Sequence, residues 1–348
     1  MDTLVTDDTD MPLVDNTAIL DTVFARWRLP CLSAGLELGF YEALNEAPAT
    51  APELADRLGL DARAVRAVLP VLAASGILDV HDDRFSLTAT ARIYLLKDSY
   101  YFFGAKLMSQ AQSSFEHGEL LTYLRPKKPR RSWFWRPDPV DAWEAGKISP
   151  EMAKSVAAYM QSECAGLAAG AAASGVFWGV KRLLDVGGGS GAMAVAIATR
   201  QPGTECTVMD LPAMCEEARA YIDAAGMGHR ITVQAVNMFR QRWPEGYDGV
   251  VFSNIFHDWA SETCALLSRL AFEALPAGGK VFVHEMLMND DHSGPAATAG
   301  FAAQMLLDTR GQQYTFPEIR ELLEGAGFAD VGVTRTSGYY SVVTGRKP

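Results

Sequence analysis

The chain has 348 residues, of which 49% are hydrophobic and 21% charged, and its formal net charge is −11 at pH 7. This length predicts two domains with enough apolar residues for two cores. The negative charge argues against a nucleic-acid partner, because affinity for that polyanion comes mainly from neutralising phosphates. The sequence has no uninterrupted apolar run of about 18 residues, so it predicts no membrane-spanning helix.

The first fifteen residues are mainly polar and acidic. They predict a disordered tail, and they lack the basic segment and apolar core of a signal peptide. The five cysteines have no Cys-x-x-Cys spacing, which favours reduced thiols in a long chain. We therefore expect a cytoplasmic protein.

The next part of the chain predicts helices followed by a hairpin. Apolar residues recur at helical spacing over residues 16–44, and residues 50–80 predict two short helices that break at Gly59 and stop at Gly76. Residues 80–87 predict a small hairpin. Two helices followed by a hairpin resemble a winged helix-turn-helix.

A winged helix raises the hypothesis of DNA recognition. The second of its helices, residues 61–75, offers only Arg63 and Arg66 to phosphates, in an acidic chain. A packing or dimerisation role is therefore favoured over DNA binding.

Residues 94–123 predict further helix, and residues 125–150 form the least regular segment. That segment combines basic residues and prolines with tryptophans, among them Trp133 and Trp135, and predicts a surface loop. Residues 149–170 then predict a long helix that begins at Ser149 and joins the two domains.

From Val180 the pattern changes to alternating strands and helices. The predicted strands cover residues 183–186, 204–209, 231–235, 249–253 and 280–287. Such alternation predicts a parallel sheet covered by helices on both faces, in which ligands bind at the carboxyl ends of the strands.

The first of these strands ends in a glycine-rich turn, LLDVGGGSG, at residues 183–191. Glycines before a helix let a ligand approach backbone N–H groups, as nucleotide-like ligands do. A dinucleotide would bring its pyrophosphate towards Asp185, whereas S-adenosylmethionine carries a sulfonium and an ammonium that this acid attracts. Asp185 therefore favours the sulfonium cofactor. Asp210, at the end of the next strand, is placed to accept hydrogen bonds from ribose hydroxyls.

Every predicted strand end carries a polar side chain. The set comprises Asp185, Asp210, Asn237 followed by Met238 and Phe239, Ser253 followed by Asn254 and His257, and Glu285. The topology brings these residues to one edge of the sheet, which is the predicted active site.

With these motifs the sequence resembles the class I S-adenosylmethionine-dependent small-molecule O-methyltransferases, such as the caffeic acid and acetylserotonin enzymes and their bacterial relatives. The carriers of the resemblance are LLDVGGGSG (183–191), VMDLP (208–212), NMF (237–239), HDW (257–259), EALPAGGKVFVHE (273–285) and GAGF (325–328). The resemblance implies an α/β fold: a Rossmann-like doubly wound sheet that binds S-adenosylmethionine, and an all-α, winged-helix-like dimerisation domain. It implies a homodimer that methylates a hydroxyl of a small aromatic secondary metabolite and releases S-adenosylhomocysteine.

The expected division of the chain follows from this resemblance. It comprises a tail at residues 1–15, the dimerisation domain at 16–110, linking helices and a loop at 111–175, and the catalytic domain at 176–348.

The resemblance also assigns roles at the site. His257 is the implied general base for a hydroxyl acceptor, and an imidazole titrates in the right range for that task. Glu285 is its implied partner, because Asp258, adjacent in sequence, is predicted to point about a hundred degrees away. The implied cofactor-binding residues are Asp185, Gly187, Gly188, Gly189, Asp210, Leu211, Asn237, Met238, Phe239, Ser253 and Asn254.

Two positions depart from the family pattern. Asn237 stands where an acid usually meets adenine, and its amide oxygen can still accept a hydrogen bond. Gln313 stands where a second catalytic carboxylate is expected, and a neutral amide cannot share the charge of an imidazolium.

Two other functions stay open at this point. The first is methylation of carbon, on an aromatic ring or an enolised 2-oxo acid. A metal held by His257 and His284 is a minority hypothesis for this reaction, because His284 and Glu285 should face opposite sides of their strand and so cannot both enter one pocket. The second is a DNA-binding regulator that senses S-adenosylmethionine. For an O-methyltransferase or a C-methyltransferase alike, the same residues are expected to line the acceptor pocket: Phe103, Met108, Tyr159, Met160, Trp259, Phe301, Met305 and Leu306.

Overall fold

The computed structural model describes residues 16–99, 102–111, 115–125 and 139–348. These residues form two compact units. The helical unit contains residues 17–139 and 287–316, and the sheet unit contains residues 140–286 and 317–348. The predicted tail and the tryptophan-containing loop, including Trp133 and Trp135, lie outside the described residues.

The helical unit begins with a series of short helices and one hairpin. The elements are α1 (Thr17–Phe24), α2 (Arg28–Leu38), α3 (Phe40–Glu46), α4 (Ala51–Leu58), α5 (Ala62–Ala74), β1 (Leu78–His81), β2 (Arg84–Leu87), α6 (Ala89–Tyr94), α7 (Gly104–Ala111) and α8 (Phe115–Leu124), with a 3₁₀ turn at Ala25–Trp27 between α1 and α2.

Local sequence signals explain these boundaries. Thr50 and Glu53 form a capping box at the start of α4, and Gly59 ends that helix at φ +65°. Asp82 and Asp83 both have positive φ angles between β1 and β2, as a tight two-residue hairpin turn requires. The predicted break at Gly59 and the hairpin are therefore present.

The sheet unit contributes most of the remaining elements. In chain order they are α9 (Pro139–Ala145), α10 (Pro150–Ala173), β3 (Arg182–Val186), α11 (Ala192–Arg200), β4 (Glu205–Asp210), α12 (Pro212–Ala224), β5 (Ile231–Ala235), β6 (Gly249–Ser253), a 3₁₀ turn at Phe256–Asp258, α13 (Ser261–Ala274), β7 (Lys280–Met286), then α14 (Ala296–Asp308) in the helical unit, and α15 (Phe316–Gly325), β8 (Ala329–Arg335) and β9 (Tyr340–Arg346).

Strands β3 to β9 form one seven-stranded sheet in the order β5-β4-β3-β6-β7-β9-β8. The first five are parallel, as the sequence predicts. Strands β8 and β9 are antiparallel additions beside β7 that the sequence pattern missed. Most residues of the edge strand β8 are partly or fully exposed, so it lacks the continuous apolar run that marked the central strands. This order confirms the Rossmann-like α/β class.

Helix α14 belongs to the helical unit, although it follows the catalytic strands in sequence. Ten of its thirteen residues are buried, and it packs against α1 and α5. The Phe301 ring lies 5.0 Å from that of Phe24, and a Cβ on Gly300 would lie only 2.6 Å from the Phe24 carbonyl oxygen. This grouping differs from a continuous domain at 176–348, because a helix this apolar is stabilised by burial among other helices.

The side chain of Arg63 is also used inside the helical unit. Its guanidinium donates hydrogen bonds to the carbonyl oxygens of Met305, Leu306, Thr309 and Gly311, at and beyond the end of α14. A cation suits the carboxyl end of a helix. Arg63 therefore fastens α14 to α5, and the phosphate contact required by the DNA-binding hypothesis is not its role here.

None of the helices in the described part of the chain is both long enough and apolar enough to cross a membrane.

Candidate active site

The carboxyl ends of four parallel strands define the site in the sheet unit. Asp185 lies in β3, Asp210 ends β4, Ser253 ends β6 and Glu285 lies near the end of β7. The chain runs from β3 outward to β4 and β5, and then returns to β6 on the other side of β3. Such a reversal leaves a crevice for a ligand at the strand ends. The structure thus brings these four predicted residues to the same edge.

The glycine turn after β3 requires glycine for two different reasons. Gly187 and Gly189 have φ angles of +67° and +58°, which other residues rarely adopt. Gly188 lacks this constraint, but a Cβ there would lie 2.8 Å from Asp185 Oδ2 and 2.9 Å from Val208 Cγ1. The turn therefore holds the backbone directly against the Asp185 carboxylate.

Asp185 is fully buried, and neither of its oxygens has a well-formed hydrogen bond within the described part of the chain. Burial raises its pKa to about 7, which the backbone N–H of Ala194 opposes and the charge of Asp210 increases. An ionised carboxylate buried in this way is stabilised by a cation. The site thus fits the ammonium of S-adenosylmethionine.

Asp210 is held by the backbone. Its Oδ1 accepts from the N–H of Leu211 at 2.7 Å, and its Oδ2 accepts from that of Gly189 at 3.0 Å. Burial raises its pKa to about 6, and these two backbone hydrogen bonds oppose the rise. Each oxygen keeps a lone pair for a ribose hydroxyl, so the predicted role is compatible with this geometry.

The amide of Asn237 has a second use that the sequence did not reveal. Its Nδ2 donates to the carbonyl oxygen of Glu144 at 3.0 Å, and its Oδ1 accepts from the backbone N–H of Phe239 at 3.0 Å. Asn237 therefore ties the loop after β5 to the end of α9, and Oδ1 keeps one lone pair for an adenine amine. The Phe239 ring lies edge-on to Trp259 at 4.6 Å, and the backbone of Met238 accepts a hydrogen bond from Trp243.

His257 and Glu285 form a buried pair. His257 Nδ1 lies 2.7 Å from Glu285 Oε2, and the two side chains are 6% and 2% exposed. Glu285 Oε1 also accepts the backbone N–H groups of Phe256 and His257. Burial lowers the pKa of His257, but four effects together raise it to about 9: in order of size, the charge of Glu285, the charge of Asp258, the hydrogen bond with Glu285 and the charge of Glu163.

Two further carboxyl groups lie near this imidazole. Asp258 Oδ1 is 3.6 Å from His257 Nε2, on the ring nitrogen that Glu285 does not contact, and its side chain is 40% exposed. The prediction that Asp258 points away from His257 is therefore wrong. It assumed a continuing helix, whereas Asp258 is the last residue of a short turn at Phe256–Asp258 and is followed by the extended residue Trp259. Glu163 on α10 was not predicted at all; burial raises its pKa, and His257 and a hydrogen bond from Tyr159 oppose the rise.

His284 lies on the opposite face of β7 from Glu285, as the strand alternation predicts. Its Nδ1 lies 3.0 Å from Ser253 Oγ, and its ring packs on Tyr340 at 4.9 Å. Burial lowers the pKa of His284 to about 3. Across the described ranges no cluster of three or more histidine, cysteine or acidic side chains is arranged to hold a metal, so the minority hypothesis of a metal on His257 and His284 gains no geometric support.

The residues expected to contact the acceptor divide between the two units. Tyr159, Met160 and Trp259 lie in the sheet unit. Phe103, Met108, Phe301, Met305 and Leu306 lie in the helical unit, as does Gln313, which stands in place of the expected second catalytic carboxylate. Phe301 is used in the helical core, whereas Gln313 is 3% exposed and both of its amide atoms lack a hydrogen-bond partner among the described residues.

Comparison with known proteins agrees with this geometry. The family profile of the O-methyltransferase domain matches residues 122–329, and that of the O-methyltransferase dimerisation domain matches residues 20–97. The chain is 33% identical over 338 residues to 3-hydroxy-5-methyl-1-naphthoate 3-O-methyltransferase from Streptomyces sahachiroi, with 95% of each chain covered. It is 29% identical to L-tyrosine C(3)-methyltransferase from Streptomyces lavendulae, over 85% of this chain and 82% of that protein.

Among solved structures, the fold is similar to an O-methyltransferase family 2 protein from Planctomyces limnophilus in complex with apigenin. The TM-score is 0.85 at 25% identity, with 99% of this chain and 100% of that chain covered.

Proposed function

Because the chain belongs to the O-methyltransferase family, we propose that His257 is the general base with which it methylates a hydroxyl of a small aromatic acceptor. As a member of that family it is an S-adenosylmethionine-dependent methyltransferase. The observation that carries the assignment of the base is the buried contact of 2.7 Å between His257 and Glu285 at the carboxyl edge of the sheet.

The cofactor-binding residues are proposed from their positions in the crevice. Asp185 binds the ammonium, and the backbone of Gly187, Gly188 and Gly189 approaches the methionine part. Ser253 and Asn254 complete this side from the end of β6. The ribose and adenine are assigned to Asp210, Leu211, Asn237, Met238 and Phe239. When bound, S-adenosylmethionine supplies an electrophilic methyl group on a positively charged sulfur.

The residues of the chain then have to activate and align the acceptor. Glu285 fixes the imidazole through Nδ1, which leaves Nε2 to take the hydroxyl proton of the acceptor. Glu285 also stabilises the imidazolium that results, as a carboxylate does for a catalytic histidine. Within the sheet unit, Tyr159, Met160 and Trp259 are proposed to contact the aromatic ring.

The experiment is turnover of purified protein with S-adenosylmethionine and a panel of phenols and hydroxynaphthoates, followed by mass and NMR assignment of each product. We expect an O-methyl ether and one equivalent of S-adenosylhomocysteine from wild type, and loss of turnover in His257→Ala. The matched control is His229→Ala, which changes an exposed histidine outside the site. Full turnover by His257→Ala would refute the role of His257 as the base.

Methylation of carbon is the second candidate, favoured by the similarity to L-tyrosine C(3)-methyltransferase. Removing the proton of a phenol also makes its ring carbons nucleophilic, so the same base serves either reaction. The position of the new methyl group distinguishes them, because a carbon product lacks the methoxy resonance in the NMR spectrum.

We also propose that two copies associate through the helical unit, whose residues 20–97 match the dimerisation domain. Exposed apolar side chains in this unit support an interface of this kind. They include Ile19, Val23, Ile93, Tyr94 and Phe115. Light scattering after gel filtration should give twice the mass of one chain.

A further inference from the structure

A second acceptor without a hydrogen-bond partner lies directly after β6, the strand that pairs with the one carrying Asp185. Asn254 is 8% exposed, and its Oδ1 has no hydrogen-bond partner among the residues that the structure describes. Its φ angle is +56°, an uncommon conformation for a residue other than glycine. Strands β3 and β6 are hydrogen-bonded neighbours, so Asn254 follows the strand next to the one that carries Asp185.

Cys164 determines which way the Asn254 amide faces. Asn254 Nδ2 donates to Cys164 Sγ at 3.2 Å, so the amino end of the side chain is used and the oxygen end is left to accept. Burial raises the pKa of Cys164 to about 12, so the sulfur belongs to a neutral thiol at physiological pH. The neutral thiol of Cys164 on helix α10 therefore holds the amide nitrogen of Asn254.

The same face of α10 covers the glycine turn. Met160, one helical turn before Cys164, would be 3.9 Å from a Cβ placed on Gly189. Cys164 therefore belongs to the wall of the cofactor crevice, and its contact with Asn254 joins this wall to the end of β6.

The unpartnered atoms of Asp185 and Asn254 are all oxygen acceptors. An ammonium group, with three N–H donors and a positive charge, satisfies such a set. A carboxylate would place a second negative charge against Asp185 and would offer no donor to the Asn254 oxygen. The chemistry of these atoms thus selects the cationic end of an amino acid.

We propose that Asn254 is the second ligand of the cofactor's α-ammonium, beside Asp185, and that Cys164 is a positioning residue that keeps the Asn254 oxygen directed at this group. This assignment rests on the proposed cofactor crevice, and it specifies the α-ammonium as the group of the cofactor that Asn254 contacts. The alternative is a rotated amide, in which the oxygen faces Cys164 and Nδ2 donates to the cofactor's α-carboxylate.

The test is calorimetric titration of wild type and Asn254→Gly with three ligands: S-adenosylhomocysteine, its analogue without the α-ammonium, and its analogue without the α-carboxylate. Glycine keeps the positive φ angle and removes only the side chain. We expect Asn254→Gly to weaken S-adenosylhomocysteine about tenfold or more, since the lost hydrogen bond is to a charged group. The analogue without the ammonium should bind both proteins equally within about twofold, and the analogue without the carboxylate should keep the full difference.

Cys164 is tested with a matched pair of variants. Cys164→Ser keeps an acceptor for Asn254 Nδ2 and should bind S-adenosylhomocysteine within about twofold of wild type, whereas Cys164→Ala should lose about threefold, and only for ligands that carry the ammonium. Thermal melting of all variants reports whether they fold.

Each other outcome has a distinct meaning. If the loss in Asn254→Gly persists with the analogue that lacks the ammonium, or disappears with the one that lacks the carboxylate, the assignment of Asn254 is refuted. If wild type binds none of the three ligands, the cofactor crevice itself is wrong, and both proposals fall.

Discussion

The replacement Glu285→Gln tests the catalytic pair most directly. It removes the negative charge and keeps the size of the side chain. The pKa of His257 is raised from 6.5 to about 9, because Glu285, Asp258 and Glu163 together outweigh the effect of burial. This net difference corresponds to about 3 kcal/mol in favour of the imidazolium. Among the groups that raise this pKa, Glu285 has the largest effect. It contacts the ring at 2.7 Å, whereas Asp258 is 3.6 Å away and 40% exposed, where water screens its charge.

The sign of the effect on catalysis follows from the role of a base. Only neutral His257 can accept a proton, so kcat/KM of the wild type should rise with pH and level off above about pH 9. In Glu285→Gln the burial of His257 is opposed only by Asp258 and Glu163, so the rise of kcat/KM should move towards neutral pH by one unit or more. The plateau should fall about 10²-fold, because the ring loses its fixed orientation and the imidazolium its counter-charge.

The assay is kcat/KM from about pH 6 to about pH 10, since this ratio reports the groups of the free enzyme. Asp258→Asn is the matched control, with a smaller shift of the same sign. Stability gives a second readout. Because the pKa of His257 is raised, the imidazolium stabilises the folded protein below pH 6.5, and this stabilisation is lost as the pH rises through about 9. The melting temperatures of wild type and Glu285→Gln should therefore differ most at acidic pH. An unchanged pH limb in Glu285→Gln would refute the reasoning.

Three further predictions concern the cofactor turn and the helical unit. The pKa of Asp185 is raised to about 7, and a bound cation would lower it. Titration with S-adenosylhomocysteine at about pH 6.5 should therefore release protons, which is measured as a binding enthalpy that depends on the buffer. Binding without proton release would contradict a cation at Asp185. Gly188→Ala should lose about 10²-fold or more in affinity for the same ligand, because its Cβ would lie 2.8 Å from Asp185 Oδ2, whereas Gly203→Ala, which meets nothing within 4 Å, should bind normally; equal affinity in the two variants would show that the turn is not close-packed. Arg63→Ala should lower the free energy of unfolding by about 2–3 kcal/mol, because several partly buried carbonyl groups lose a charged donor. A change in melting temperature below about 1 °C would show that these bonds do not stabilise α14.

Much of the fold and the cofactor crevice followed from local signals. The glycine turn at 187–189, the Asp185 and Asp210 positions and the alternation of strands and helices depend on backbone conformations and periodicities that a few neighbouring residues specify. The same holds for the helix break at Gly59 and for the hairpin at residues 80–87.

The sequence could not assign the contacts that depend on distant segments. Asp258 approaches the second ring nitrogen of His257 at the end of a short turn, residues 256–258, in which Glu285 accepts the backbone N–H groups of Phe256 and His257. Glu163 comes near the same imidazole through the packing of α10, and nothing in its neighbouring residues indicates this.

The sequence by itself therefore determined the class of fold, the position of the crevice and the residue types that meet there, because these follow from short-range backbone preferences and from a topology in which parallel strands end at one edge. The tertiary structure alone decided which partner each polar side chain contacts. Arg63 donates hydrogen bonds to carbonyl groups at the end of α14, Asn237 donates to the carbonyl oxygen of Glu144, and Asn254 donates to the sulfur of Cys164. The physical reason is that a side-chain hydrogen bond between residues about 90 positions apart or more is specified by the packing of whole helices and strands, which no local pattern records.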